Sequence, residues 1–444
     1  MLIPDKIPDK EPFIRVGIIL PDDGFDSVTV VLPEKTEYQI LTSEVKRSLP
    51  PKQQLQFKNE QRGLLCSFLG KSYSYYRIEP LKKYTLSPEC GILVKRVIAG
   101  RGFHWEKNID VFLPGCMEIT SYQGKLILVN ELRLEEYLVC VATSEMSAAC
   151  PSALIESQTI AARSWMLANI EQKHIALGFD VCNDDCCQRF QGSKNLTQQS
   201  INAARKTSGL VLLYGQTICD ARYSKSCGGI MESFPAIWGG KEIPYLKNIF
   251  DSSLQLKDPG LPLSSELEVK KWIDQTPDVF CSSFSVSENT LNQYLGTVDK
   301  KGKYFRWEIT YTQKELTKLL NNKLHLKATR ILSLNPEERG GSGRLSILAI
   351  KYIDPQQKEK SIQLKTEYQI RQALHTGFLY SSCFYIIAET DDNGIPLKFT
   401  IKGAGWGHGV GYCQIGALGM SLKGFTMQQI LAHYYPGSIL KKIY

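Results

Sequence analysis

The chain has no run of about 18 consecutive apolar residues, the length a membrane-spanning helix requires. Its longest apolar pieces, 16–20 and 383–388, are strand-sized, which excludes spanning helices. Charge of one sign is also scarce. Lys and Arg number 53 against 45 Asp and Glu, a net +8, and the basic residues do not gather into runs longer than two or three. That density is too low for a nucleic-acid binder, although it mildly favours anionic partners. There is no internal repeat and no low-complexity segment, so neither a solenoid nor a disordered tail is expected. The first residues, Met1-Leu2-Ile3-Pro4-Asp5-Lys6, lack the basic patch and apolar core of an export leader.

What is present is a globular composition, with 43% hydrophobic and 22% charged residues over 444 positions, enough for two or three domains. Cysteine is plentiful at 13, an odd number that cannot pair completely. Cys66, Cys140, Cys219 and Cys383 sit in apolar stretches, as expected of small buried hydrophobes. The chain is too long for a disulfide scaffold, so its cysteine usage points to a reducing compartment or to a family that tolerates thiols.

The first hundred residues read as strands, at 15–20, 27–32 and 92–98, punctuated by turns such as Pro21-Asp22-Asp23-Gly24. At Leu134 the period becomes helical, through Leu138, Val141 and Ala142 towards Glu145. Pro151 opens a second helix through Leu154, Ala161 and Trp165. From 251 to 340 the chain is more polar and reads as an inserted or peripheral subregion, with a surface helix at 266–271; strand character returns at 344–352. Gly403, Gly405, Gly407, Gly409 and Gly411 alternate with other residues, which predicts an extended strand with one bare face on which a sugar or a backbone could lie. Thr426 followed by Gln429 forms a capping box that opens a last helix. The expected fold is α+β: a β-rich N-terminal region (1–125), a helical catalytic corner (126–250), the peripheral subregion (251–340) and a mixed C-terminal part with the glycine strand (341–444).

Several side chains are candidates for chemistry. Glu145, at a corner between two apolar helices, is either an exposed helix end or a buried acid. Arg163 lies among small residues and clamps a substrate carboxylate, holds Glu145 or lies along the surface. Cys182, Cys186 and Cys187, with His174 upstream, offer thiolates and an imidazole to zinc, or are a disulfide or plain thiols. Ser224, Ser226, Cys227, Gly228 and Gly229 form either a sugar-binding loop or a simple turn. Cys227 or Cys413, with His408 as base, is the pattern a cysteine peptidase would need. His408, beside Trp406, suits a carbohydrate contact or a structural role.

Taken together these segments resemble one family. The run 129–138 with Ser144-Glu145-Met146 and 158–163, the Ser226-Cys227-Gly228-Gly229 loop with Trp238-Gly239 and Pro244-Tyr245-Leu246, and the 403–411 glycines with 414–417 and Tyr434-Tyr435-Pro436-Gly437 are similar in order and spacing to the SpoIID/LytB family. The resemblance implies a lytic transglycosylase acting on peptidoglycan glycan strands stripped of stem peptides, with Glu145 as the catalytic acid. It implies that Arg163, Ser224, Ser226, Gly229, Trp406, His408 and Gln414 bind the substrate. The implied partner is a cell-wall amidase, the implied location the cell envelope, and the alternative role a non-catalytic amidase enhancer. The mechanism requires no cofactor. Some members of the family carry a histidine–cysteine zinc pattern, which His174, Cys182, Cys186 and Cys187 match in part. Ser147 stands where the family usually carries proline, which suggests a looser corner.

Overall fold

The computed structural model describes every residue except 5, 62, 104, 254–259, 264 and 296–302. Its N-terminal half is a pair of sheets. One has seven strands in the order Val181–Cys182, Phe13–Ile19, Lys125–Arg133, Cys116–Tyr122, Tyr75–Pro80, Tyr38–Leu41 and Lys46–Leu49. The other has six strands, running from Lys107–Leu113 to Lys71–Tyr73. Ile14, Val16 and Ile18 from the first sheet share a core with Val28, Val30 and Phe57 from the second. The alternation of Ile14, Val16 and Ile18, and of Val28 and Val30, is what places each set on one face of its pleated strand. On the outer face Arg15 and Arg77 are interleaved with Glu118 and Glu131.

The strand Lys125–Arg133 runs directly into helix α1, Leu134–Glu145. Helix α2, Ser152–Ala168, packs on α1 and on α3, Gln198–Lys206, as well as on the helices Gln414–Leu422 and Met427–Tyr434. Nearly all of α2 is buried. A residue at the end of α1 is therefore delivered to the centre of the molecule. The predicted capping box is present: Thr426 Oγ1 accepts the Gln429 N–H, and Gln429 Oε1 accepts the Thr426 N–H.

Strand pairing crosses the divisions drawn from composition. Residue 125 opens a strand of the first sheet, and the 340/341 division cuts the hairpin between Arg330–Arg339 and Leu345–Ile353. The subregion 251–340 is not peripheral: Trp272, Val279, Phe280 and Cys281 belong to the central core. The helix Glu266–Asp274 docks through Val269, Trp272 and Ile273. The part of the chain with a core of its own is the lobe built from Arg306–Thr312, Gln313–Leu324, the 330–364 strands and Pro396–Ala404.

The glycine ladder differs from expectation as well. The strand ends at Ala404, and Gly405, Gly407, Gly409 and Gly411 take φ of +78°, +99°, +76° and +70°. That is left-handed backbone, open to glycine at little cost. The segment is a coiled loop, and its spacing of two reflects repeated turns rather than a bare pleat. A side chain at Gly409 would collide with the Arg344 guanidinium, and one at Gly411 with the Arg222 carbonyl.

Candidate active site

Glu145 is the last residue of α1, where the chain turns into extended backbone at Met146. It is 7% exposed and faces a cleft of about 880 Å³, within the usual range for ligand sites. Oε1 accepts the Arg189 N–H (3.0 Å) and the Tyr223 hydroxyl (2.9 Å), and Oε2 accepts the Gln414 amide (3.3 Å). All three donors are neutral. The Gln414 amide also reaches Gln158 Oε1. Parallel pairing of Tyr223–Ser224 with Tyr412–Cys413 brings Tyr223 and Gln414, the residue after Cys413, to the two oxygens of the carboxylate.

The corner after Glu145 is pinned rather than loose. Lys225 Nζ donates to the Glu145 carbonyl (2.8 Å), satisfying one of the carbonyls that a helix end leaves free. Burial, with Arg189 close by, pulls the Lys225 ammonium down to about 8. Ser147 takes over the work expected of proline: its N–H donates to the Tyr294 carbonyl, and its Oγ accepts the Ala149 N–H.

Arg189 shapes the floor. Its guanidinium lies 4.2 Å from the Trp105 ring centroid and grips Asp185 through both carboxylate oxygens (2.6 and 3.1 Å). Burial works against the Arg189 charge, and Asp185 outweighs it. Arg189 Nη1, Ser224 Oγ and Ser346 Oγ, all on residues that line the cleft, are buried with no hydrogen-bond partner among the described residues. Buried polar groups are normally satisfied, so three orphans around one cleft mark where a polar ligand would bind. Aromatic faces border the rest of the cleft: Phe103, Trp105, Trp238, Tyr368 and Phe378. The Trp238 ring lies 4.9 Å from His408 and 4.7 Å from the Arg222 guanidinium. His408 Nδ1 accepts the Val410 N–H, so a neutral ring carries its proton on Nε2. Burial, then Arg222, Arg371 and Arg344, hold that imidazole well below its usual range.

Of the residues expected at the site, Glu145, Ser224, Trp406, His408 and Gln414 line the cleft. Arg163, Ser226 and Gly229 do not. Arg163 is fully buried in α2, where it holds Glu135 with two bonds (2.9 and 2.6 Å). Ser226 is buried in a backbone bridge to Trp406, and Gly229 packs against Trp272. Cys227 and Cys413 are buried away from the cleft, which removes the cysteine-peptidase reading. Sequence reasoning missed Arg189, Lys225, Asp185, Tyr223 and Trp105. The first four flank motifs already singled out, the cysteine cluster and the Ser226 loop, and that adjacency was the available signal.

The expected metal ligands do converge. His174, Cys182, Cys186 and Cys187 bring one donor atom each to within 4.8 Å of one another. Three thiols and an imidazole are a set that zinc accepts, so the residues fit that ion. Cys186 lies 3.6 Å from His174 Nε2 and 3.9 Å from the Cys187 sulfur, while the Cys182 and Cys186 sulfurs are in closer contact at 2.8 Å. The thiols of Cys182 and Cys187, with His174, draw the Cys186 thiol far down. No disulfide occurs among the described residues.

Comparison with known proteins places this site in context. Residues 122–214, which contain Glu145, match the family described as Stage II sporulation protein (SpoIID). Residues 232–411, which contain Trp238 and His408, match a family described as a domain of unknown function. The amidase enhancer of Bacillus subtilis is 26% identical over 68% of this chain, which spans 39% of that protein. Stage II sporulation protein D of Bacillus subtilis is 23% identical over 75% of this chain and 81% of its own length. An uncharacterized protein of Brachyspira hyodysenteriae is 25% identical over 73% of this chain and 70% of its own. No helix among the described residues is long and apolar enough to cross a membrane.

Proposed function

We propose that this chain, whose residues 122–214 match the SpoIID family and which is similar to Stage II sporulation protein D, is a peptidoglycan lytic transglycosylase with Glu145 as its single acid and base. The observation that carries the reading is Glu145 itself: a buried carboxylate on the floor of an aromatic-edged cleft, held only by neutral donors among the described residues. The nearby Asp185 is committed to Arg189 through both oxygens, which argues against a two-carboxylate hydrolysis.

Glu145 protonates the glycosidic oxygen between N-acetylmuramic acid and N-acetylglucosamine. The carboxylate so formed then takes the proton of the muramic acid C6 hydroxyl, which closes onto C1. The nucleophile is already part of the substrate, so the step gains from proximity and needs no water. The Tyr223 and Arg189 donors on Oε1 keep the carboxylate pointed at the cleft through both proton transfers. Arg189 Nη1 and Ser224 Oγ, two of the unpartnered donors, are assigned to the sugar. Arg189 faces the lactyl carboxylate that is exposed when stem peptides are removed, which suits glycan already processed by an amidase. Trp238, Trp105 and His408 offer faces and edges to the pyranose rings. Such a substrate lies outside the cytoplasm, so the protein works in the cell envelope. Zinc held by His174, Cys182, Cys186 and Cys187 would play a structural part, fixing the loop that carries Arg189 to Glu145.

The test is mass spectrometry of products from amidase-treated glycan strands, for wild type and Glu145→Gln. Anhydro-muramic ends from the wild type alone are expected; reducing ends would overturn the lyase reading in favour of hydrolysis. A second reading, a glycan-binding partner that enhances an amidase, draws on the likeness to the amidase enhancer. It requires that Glu145→Gln leave amidase stimulation intact and that the wild type yield no cleavage products.

A further inference from the structure

Behind the cleft lies a second group of thiols, built from four separate segments. Cys227 follows the Ser226–Trp406 bridge, and Asp251 follows the strand Ile249–Phe250. Cys281 lies in the turn after the helix Glu266–Asp274, and Cys413 caps the helix Gln414–Leu422. All four residues are buried, and their donor atoms lie within 4.8 Å of one another. We propose that Cys227, Asp251, Cys281 and Cys413 form a closed structural zinc site that holds the back wall of the cleft. This inference does not depend on the reaction assigned to Glu145.

The spacing is that of a tetrahedral ion. Two sulfurs about 2.3 Å from one zinc lie about 3.8 Å apart, and a sulfur and a carboxylate oxygen about 3.5 Å apart. The Cys227 and Cys281 sulfurs are 3.7 Å apart, and Cys227 Sγ is 3.3 Å from Asp251 Oδ2. The surroundings suit anionic ligands. Cys413 Sγ accepts the backbone N–H groups of Cys227 (3.2 Å) and Gly416 (3.3 Å), as a thiolate does. Asp251 Oδ1 is held by the Tyr434 hydroxyl (2.9 Å) and His433 Nε2 (3.2 Å), which leaves Oδ2 turned to the sulfurs. Orienting partners of this kind are characteristic of metal-bound carboxylates. Two guanidinium groups border the Cys227 loop: Arg344 donates to the Cys227 carbonyl and Arg306 to the Gly228 carbonyl. They offset the excess negative charge of three thiolates and a carboxylate around a divalent ion. A side chain at position 416 would collide with Asp251 and Tyr434, so the glycine keeps the centre open.

A buried carboxylate among apolar thiols is costly when nothing coordinates it, and a metal removes that cost. The ion would also tie Cys413, and with it the neighbouring Gln414 on Glu145, to the loop that carries Ser224 and Lys225. With no open coordination position, its part is positional rather than catalytic.

The experiment measures zinc in the full chain purified without chelator, in the wild type and in a Cys186→Ser/Cys187→Ser variant that disables the other thiol cluster. The variant is expected to retain one zinc per chain, and zinc-edge X-ray absorption should find three sulfurs and one oxygen around it. Adding Cys281→Ser should abolish that zinc. A folded Cys186→Ser/Cys187→Ser protein with no zinc overturns the proposal, as does a 227–281 disulfide in its mass spectrum or an imidazole in the retained zinc's shell. If the variants do not fold, the wild type decides. Two zinc ions per chain support the proposal, and a single ion with a histidine in its shell overturns it.

Discussion

Helix α1 carries a carboxylate at each end, half-buried at the start and buried at the finish, and the two ends are built differently. At the start, Glu135 receives Arg163 through two bonds, together with the Gly209 N–H and the Tyr444 hydroxyl. Burial pushes this carboxyl up, but Arg163 and the other donors outweigh it and hold it below the usual range. At the end, about 15 Å away at 1.5 Å per residue, Glu145 receives three neutral donors and faces open space. A carboxylate answered by a buried arginine is a strut; one held in place by neutral groups, with a cleft before it, can exchange protons. Burial does not explain the difference, because the strut Glu135 is the more exposed of the two.

The comparison can be broken most directly at Glu145. Glu145→Gln keeps the shape and the acceptor on Oε1, and it should lower turnover by about 10²- to 10⁴-fold, the usual worth of a general acid, with the melting temperature unchanged. A large loss of stability would make Glu145 a strut as well. Arg163→Met should do the reverse. Leaving the half-buried Glu135 without its counter-ion is expected to cost at most about 3–5 kcal/mol in chemical denaturation, with activity per folded molecule retained. The pH dependence should change with it. In the wild type the depressed Glu135 contributes stability present above its unfolded pKa of about 4.3 and lost as pH falls through the lower folded value. Without Arg163 that contribution disappears, and the acid limb of the stability curve flattens.

A matched pair sharpens the contrast. Tyr223→Phe and Tyr444→Phe each remove one hydroxyl donor from one carboxylate, an interaction worth about 1.5–3 kcal/mol when the partner is charged. The first should appear as a 10- to 100-fold drop in kcat, roughly as that energy implies. The second should lower the melting temperature by several degrees and leave kcat alone. The smallest effect belongs to Trp238→Ala, which touches neither end of α1. Loss of a ring contact worth about 0.5–1.5 kcal/mol should raise KM by 2- to 10-fold and leave kcat and stability unchanged.

Much of this was legible in the chain. The helical period from Leu134 and Pro151 marked the corner that positions Glu145, and the Thr426–Gln429 box marked the last helix, because both signals are local. Arg163 was misread because its partner Glu135 lies 28 residues upstream on another helix, where no spacing rule reaches. The glycine ladder was misread because alternation in sequence does not reveal the sign of φ, and four left-handed residues look the same as a bare strand. Arg189 and Lys225 were overlooked because a lone cation gains meaning only from what it faces. The buried thiols invited a nucleophile reading, since a sequence shows that cysteines exist and not that they point at one another.

Glu145 and Gln414 touch across 269 positions of chain. Closing so wide a loop costs more entropy than forming any local turn and slows assembly. The amide is expected to reach the carboxylate after α1 and the N-terminal sheets have formed around their own core. A refolding molecule should regain its native far-ultraviolet signal before the Glu145 site is complete, so the cleft would stay idle through most of its own maturation.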